Sequence, residues 1–258
     1  MKAGPNRPKI GFVSLGQGPR PDLDDYHRRL LAKAGIDAIL VWRHALDGLA
    51  ESELAAMAAK DGNPAIRTNL RQSGCESQLG AGWMARWLDR DSFIPFVQSA
   101  VFELEAEEGV DLTIICAAEE FPDGSFRSNR PVILPSIAMS AHAQLLANTR
   151  PQATIGLLVY GERQRQQQQA GWVAKPWAHS LTLAFCGHGG DLDAAAEEML
   201  PQKPDLVLVW AYGAGVGTGQ SGPQSLSEKL GVPVISAAVA SMSMAVNLLP
   251  FSGDWSAQ

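Results

Sequence analysis

Apolar positions along the chain fall into short runs separated by turn residues, and between those runs they recur at helical spacing. This alternation predicts an α/β fold. Leu112–Ile115, within Gly109-Val-Asp-Leu-Thr-Ile-Ile-Cys-Ala-Ala-Glu-Glu-Phe-Pro122, is too short for a helix and is β-branched, which suits a strand buried on both faces of a parallel sheet. The run delivers Cys116 to a turn of small residues and acids, Ala117, Ala118, Glu119 and Glu120. Comparable runs at Lys9–Leu15, Asp37–Trp42 and Pro131–Leu134 predict three further strands in the first half. Ala153–Tyr160, Ser180–Cys186, Asp205–Trp210 and Val232–Ile235 predict four in the second.

Helices are predicted between these strands. Pro21 suits a first helical turn, Asp22, Asp24 and Asp25 favour its dipole, and Gly35 ends it. Ser92 is the expected cap of a helix to about Glu108, with Phe93, Phe96, Val97, Ala100, Val101 and Leu104 on one face. Further helices are predicted at Ile137–Asn148, Glu162–Ala170, Asp193–Leu200, Ser225–Leu230 and Ala237–Leu249. The four consecutive glutamines of Glu162–Ala170 read as a solvated face. From Ala45 to Arg90 the pattern loosens, with Leu49–Ala59 helical and Ile66–Arg71 extended around an irregular loop.

The two halves resemble one another. Ile10-Gly11-Phe12-Val13 matches Ile155-Gly156-Leu157-Leu158, Asp111-Leu112 matches Asp205-Leu206, and Arg130–Ser136 matches Gly231–Ser236. The expected architecture is therefore two pseudo-symmetric α/β lobes, each a four-stranded, mainly parallel sheet flanked by helices, with strand ends facing a cleft between them. Cys116 is matched in the second half by Ala211, so a partner thiol is absent.

Composition narrows the function. The 258 residues carry a net charge of −6, which leaves no basic footprint for nucleic acid. No apolar run reaches the length of a membrane span and the N-terminus has no signal-peptide core, so a cytoplasmic soluble protein is expected. Cys75, Cys116 and Cys186 are an odd number without C-x-x-C spacing, which argues for reduced thiols and against a structural zinc site.

Ligands of open α/β sheets sit at the carboxyl ends of strands, which places Cys116 for chemistry, although buried cysteine also serves as a small hydrophobe. The backbone N–H groups of Ala117 and Ala118 are candidates for an oxyanion hole. Gln17 and Arg20 lie in the first strand-to-helix turn, where the guanidinium could take a carboxylate or simply pair with Asp22 or Asp24. Ser14 is either a ligand contact or a packed strand serine. Tyr160 occupies the matching turn of the second half and could hydrogen-bond a ligand or donate a proton. Glu119 is a candidate acid or base, and the alternative for Glu119 and Glu120 is a solvated loop. His44 reads as a structural histidine. Cys186 and His188 are too few ligands for a metal site. Gly213, Gly215, Gly217 and Gly219 fit no nucleotide-binding motif and suit close backbone approach or a moving loop, with Trp210 and Tyr212 as pocket wall or core.

Ile10-Gly-Phe-Val-Ser-Leu-Gly-Gln-Gly-Pro-Arg-Pro-Asp22 resembles the T-I-G-Q-x-P-R-x-D opening of the AroM family, and Leu104–Pro122 resembles that family's segment ending in L-C-T-G-x-F. Glu162 and Trp172 fit a further spacing of the same family. AroM proteins belong to the aspartate/glutamate racemase superfamily, which works without pyridoxal phosphate or metal. The resemblance implies two lobes, residues 1–135 plus 237–258 and residues 136–236, with the terminal helix exchanged. It implies a small carboxylic acid as substrate, no cofactor, and a homo-oligomer, since homodimers are common among such enzymes. In the superfamily's racemases two cysteines flank the acid, one thiolate removing a proton beside the carboxylate while the opposite thiol returns one. Cys116 falls on the first position; the second falls on Trp210-Ala-Tyr-Gly213, where Ala211, with Tyr212 and Gly213 beside it, replaces the cysteine. A single-thiol isomerase or lyase follows, with Cys116, Tyr160 and Glu119 as catalytic candidates. Ser14, Gln17, Arg20, Ala117, Ala118, Ala211, Tyr212 and Gly213 are the candidates for substrate binding. A decarboxylase of the same superfamily and a non-catalytic small-acid binder are the alternatives.

Overall fold

A computed structural model describes residues 7–71, 83–216 and 222–249. Cys75, Gly217 and Gly219, singled out above, lie outside the described residues. The chain divides into two compact units. The first holds the described residues up to Cys116, Phe121–Ile133 and those from Met242 on; the second holds Ala117–Glu120 and Leu134–Ser241.

In the first unit the order is β1 (Lys9–Ser14), α1 (Pro21–Lys33), β2 (Ile39–His44), α2 (Glu51–Ala56), β3 (Ala65–Arg71), β4 (Trp83–Asp89), α3 (Ile94–Ala106), β5 (Leu112–Cys116) and β6 (Val132–Ile133). Four of these form a parallel sheet in the order β2-β1-β5-β6. Its central strands are buried along almost their whole length, as continuous apolar runs require. The second unit follows with α4 (Pro135–Thr149), β7 (Thr154–Val159), α5 (Glu162–Val173), β8 (Thr182–Gly187), α6 (Leu192–Met199), β9 (Leu206–Val209), α7 (Pro223–Leu230), β10 (Val234–Ser236) and α8 (Ala237–Leu248), whose last turns belong to the first unit. Its sheet, β10-β9-β7-β8, is also parallel and repeats the first topology, β7 standing where β1 stands.

The matched sequences have matched structural work. The Asp111 carboxylate accepts from the Lys9 N–H at 2.8 Å, and the Asp205 carboxylate accepts from the Thr154 N–H at 2.8 Å, so one acid per unit fixes the start of each central strand. Gly11 and Gly156 serve close packing. A Cβ at Gly11 would lie 3.0 Å from Leu104 and from Thr113, and at Gly156 2.8 Å from the Met199 sulfur. Hydrogen on these α-carbons lets α3 and α6 settle onto their sheets.

The first unit alone carries the antiparallel pair β3–β4, registered from Ala65↔Asp89 to Arg71↔Trp83. The pair is stitched to the exit of β1. Thr68 Oγ1 donates to the Leu15 carbonyl at 2.8 Å, and a Cβ at Gly16 would meet the Asn69 carbonyl at 2.5 Å. Two expectations are corrected. Ser92 is no cap: its hydroxyl donates to the Asp89 carbonyl at 2.6 Å within a 3-10 turn, Asp91–Phe93, and α3 starts at Ile94 with Pro95 in its first turn. The glutamine run is not uniformly solvated, because Gln164, Gln168 and Trp172 form a buried face of α5.

Candidate active site

β1, β2 and β5 end at one level. Ser14 is in register with His44 on one side and with Cys116 on the other, each being the last residue of its strand. In-register residues of a pleated sheet present side chains to the same face, on strands about 4.8 Å apart. The carboxyl end of this sheet is therefore a row, His44–Ser14–Cys116. Ser14 Oγ and His44 Nδ1 are 2.7 Å apart. Ser14 is 2% exposed and Cys116 9%, so the row is shielded with its thiol at the margin of solvent.

The turns around the row are tightly bonded. Gln17, expected at the ligand, accepts from the Arg71 N–H at 2.8 Å and donates to the Leu46 carbonyl at 3.3 Å, so its amide brackets β3 and the turn after β2. Arg20 donates to Asp22 through Nε at 2.9 Å and Nη2 at 2.8 Å, the local pairing anticipated as its alternative role. Asp47 accepts from the Gly18 N–H at 3.0 Å and pairs with Arg71 at 3.3 Å. Burial holds the His44 imidazole below its usual range of proton affinity; the Arg20 and Arg71 charges add to this and Asp47 opposes it.

A second polar group stands in the second unit. Glu119 is buried, not part of a solvated loop. Burial pushes its carboxyl up to about 7, against hydrogen bonds that favour the charged form, from Gln164 and from the backbone of Glu119 and Ala118. The backbone of Ala118, expected in an oxyanion hole, is also among the groups that favour the charged form of Glu119. Gln164 Nε2 donates to Glu119 at 2.7 Å, and Gln164 Oε1 accepts from the Tyr160 N–H at 2.7 Å. The Tyr160 ring meets His188 edge-on at 5.4 Å. Glu119 and Tyr160 are thereby brought together through Gln164, a residue that sequence reasoning passed over; its spacing of four and eight from Gln168 and Trp172 was the available signal. Glu120 is separate and pairs with Lys175 at 2.7 Å.

Cys186 packs in the apolar cluster under β7, β8 and β9, and burial pushes its thiol up to about 11, so it is a core residue. Ala117 is buried, Ala211 half-buried, Tyr212 buried and Gly213 exposed in the turn after β9. Strand register corrects one correspondence. Val13↔Ile115 matches Leu158↔Val209, so the residue equivalent to Cys116 is Trp210, one before Ala211. Trp210 N–H donates to the Leu158 carbonyl at 2.8 Å, continuing the ladder, and its fully buried ring meets Trp172 edge-on at 5.8 Å. Among the described residues no group of three His, Cys, Asp or Glu could hold a metal ion, and no helix is long and apolar enough to cross a membrane.

Two helix-flanked parallel sheets of one topology place the chain in the fold class of the aspartate/glutamate racemases. Unliganded arylmalonate decarboxylase superposes with a TM-score of 0.56 at 15% identity, over 96% of this chain and 94% of the other. Glutamate racemase from Francisella tularensis subsp. tularensis SCHU S4, solved with D-glutamate, gives 0.53 at 12%, over 96% and 85%. An aspartate racemase homologue from Pyrococcus horikoshii OT3 gives 0.50 at 12%, over 93% and 98%. At these identities the likeness is one of fold. The chain belongs to the AroM family, whose model, described as AroM protein, matches residues 10–249. Comparison with curated proteins found no match.

Proposed function

We propose that the protein is a cofactor-independent enzyme that moves a proton at the carbon beside a small acid's carboxylate, with Cys116 as its thiol acid/base. The observation that carries this reading is the row His44–Ser14–Cys116 at the carboxyl end of a parallel sheet, where α/β folds bind ligands. A thiol becomes a useful base only where neighbours favour its ionised form, and a hydroxyl with an imidazole behind it is such a neighbour. Removal of the proton leaves an enediolate whose charge the substrate's own carboxylate shares, so no further electron sink is required. Ser14, Arg20, Ala117, Ala118, Ala211, Tyr212 and Gly213 are retained as candidates for holding the acid, with Gln17 as a bracket of the turn. Glu119, at its raised proton affinity, and the Tyr160 phenol are the candidates for returning a proton.

Trp210 at the position equivalent to Cys116 favours a second chemistry, decarboxylation. Loss of CO₂ from a malonate-type acid leaves its electron pair on the α-carbon, and one proton from Cys116 completes the product. No second thiol is needed.

Solvent deuterium incorporation, followed by NMR over a panel of 2-substituted mono- and dicarboxylic acids, tests both. Cys116→Ser should slow exchange or CO₂ release by about 10²–10⁴-fold, the range for removing a general acid/base. Exchange that survives in Cys116→Ser would sink the thiol assignment. Thermal stabilisation by an acid of the panel, with neither exchange nor CO₂ release in the wild type, would make the protein a binder of small acids.

A further inference from the structure

We propose that Ser14 and His44 form a proton relay that ionises Cys116, His44 being the terminal base and Ser14 the carrier. The inference rests on Cys116 being the reacting thiol. In the forward step the Cys116 S–H proton passes to Ser14 Oγ as the Ser14 hydroxyl proton passes to His44 Nδ1. The products are a thiolate and an imidazolium, with the serine hydroxyl regenerated; the reverse step restores all three groups.

The geometry for this is built from the backbone. Ser14 lies between the other two by strand register, with its hydroxyl 2.7 Å from the imidazole; the Cys116 thiol points to the Ile114 carbonyl at 4.0 Å and turns from it to hand its proton to Ser14. The ring is held in place. Trp42 stacks beside it at 6.1 Å and 17°. Gly18 lies against its other atoms so closely that a Cβ there would fall 1.8 Å from His44 Cδ2 and 2.1 Å from Nε2. Glycine at this position is therefore a requirement of the imidazole and not of any turn conformation. The charges facing His44 come from three segments: Arg20 from the turn before α1, Asp47 from the turn after β2, and Arg71 from β3. Burial lowers the proton affinity of the ring most, the two cations add to this, and Asp47 favours the imidazolium once formed. In the second unit the equivalent residues of β7 and β8 are Val159 and Gly187, which cannot pass a proton.

The test uses the full-length protein and no substrate. The rate of alkylation by iodoacetamide, read by mass spectrometry on the Cys116 peptide across pH, reports the thiolate population of that residue alone. Ser14→Ala and His44→Gln should each raise the midpoint by about one unit, equivalent to roughly tenfold slower alkylation at pH 7. The double variant should shift no further than either single one, because carrier and base act in series. Ser14→Thr keeps the hydroxyl and should keep the midpoint. Gly18→Ala, which displaces the ring but leaves both groups in the chain, should raise it as His44→Gln does. Should Ser14→Ala fail to fold by circular dichroism, His44→Gln and Gly18→Ala decide the matter. Wild-type midpoints in Ser14→Ala and His44→Gln would overturn the relay even where Cys116-dependent exchange is intact. Shifted midpoints, with no acid exchanged or decarboxylated by the wild type, would uphold the relay and overturn the proposed function.

Discussion

The ends of the two parallel sheets share a backbone and differ in chemistry. Both central strands begin under an aspartate clamp and carry a glycine where a helix presses on the sheet. At their carboxyl ends the first unit presents His44, Ser14 and Cys116, and the second presents Gly187, Val159 and Trp210. One row is polar, with a hydroxyl–imidazole contact of 2.7 Å. The other is a packing surface closed by the Trp210–Trp172 contact. The buried polar pair of the second unit lies off the sheet, Glu119 on Gln164 of α5. The two units thus share what the backbone needs and differ in the side chains at their strand ends.

If the second row is packing alone, truncating it should affect stability most. Trp172→Ala is expected to cost about 3–5 kcal/mol in urea denaturation, as for other fully buried aromatic residues. Trp172→Phe should cost much less, since the indole N–H of Trp172 has no hydrogen-bond partner among the described residues. A cost under about 1 kcal/mol for Trp172→Ala would break the contrast.

Next in size is Glu119. A carboxyl raised from 4.5 to about 7 by folding stabilises the folded state in its protonated form. That contribution is fully present below pH 4.5 and is lost as pH rises through 7. Glu119→Gln keeps a neutral group of the same shape, so at pH 8 the variant should be more stable than wild type by up to about 3 kcal/mol, the gap closing on acidification. Denaturant midpoints at pH 5 and pH 8 check the sign. A variant less stable at pH 8 would mean that the carboxylate is stabilising there.

The smallest effect concerns what the units share. Asp111→Ala and Asp205→Ala each leave a backbone N–H at a strand start without its acceptor, and each should cost about 1–3 kcal/mol by thermal or urea unfolding. Similar costs would support the equivalence of the clamps, and a clear asymmetry would limit it.

Much of this was legible in the chain. The eight strands of the two sheets were readable because strands buried on both faces must be continuous apolar runs, and the repeat of Ile-Gly and Asp-Leu exposed the duplication. The β3–β4 pair was read only in part, as an extended Ile66–Arg71. Its partner strand Trp83–Asp89 mixes buried and exposed positions without strict alternation. In the site, Cys116 was evident from its place at a strand end, whereas Gln164 was hidden in a polar helix whose glutamines have no apolar signature. His44 was read as structural because no spacing in sequence ties it to Ser14, thirty residues away.

By itself, then, the sequence determined the alternation of strands and helices, the repeat, and the cysteine at the end of the fifth strand, since these follow from local burial and turn chemistry. Tertiary structure alone decided which polar groups meet. Register set Ser14 between His44 and Cys116, moved the counterpart of that thiol from Ala211 to Trp210, and buried Glu119 against Gln164. Hydrogen bonds and proton affinities depend on distances of a few ångströms between residues far apart in the chain, and those distances exist only after the strands have paired.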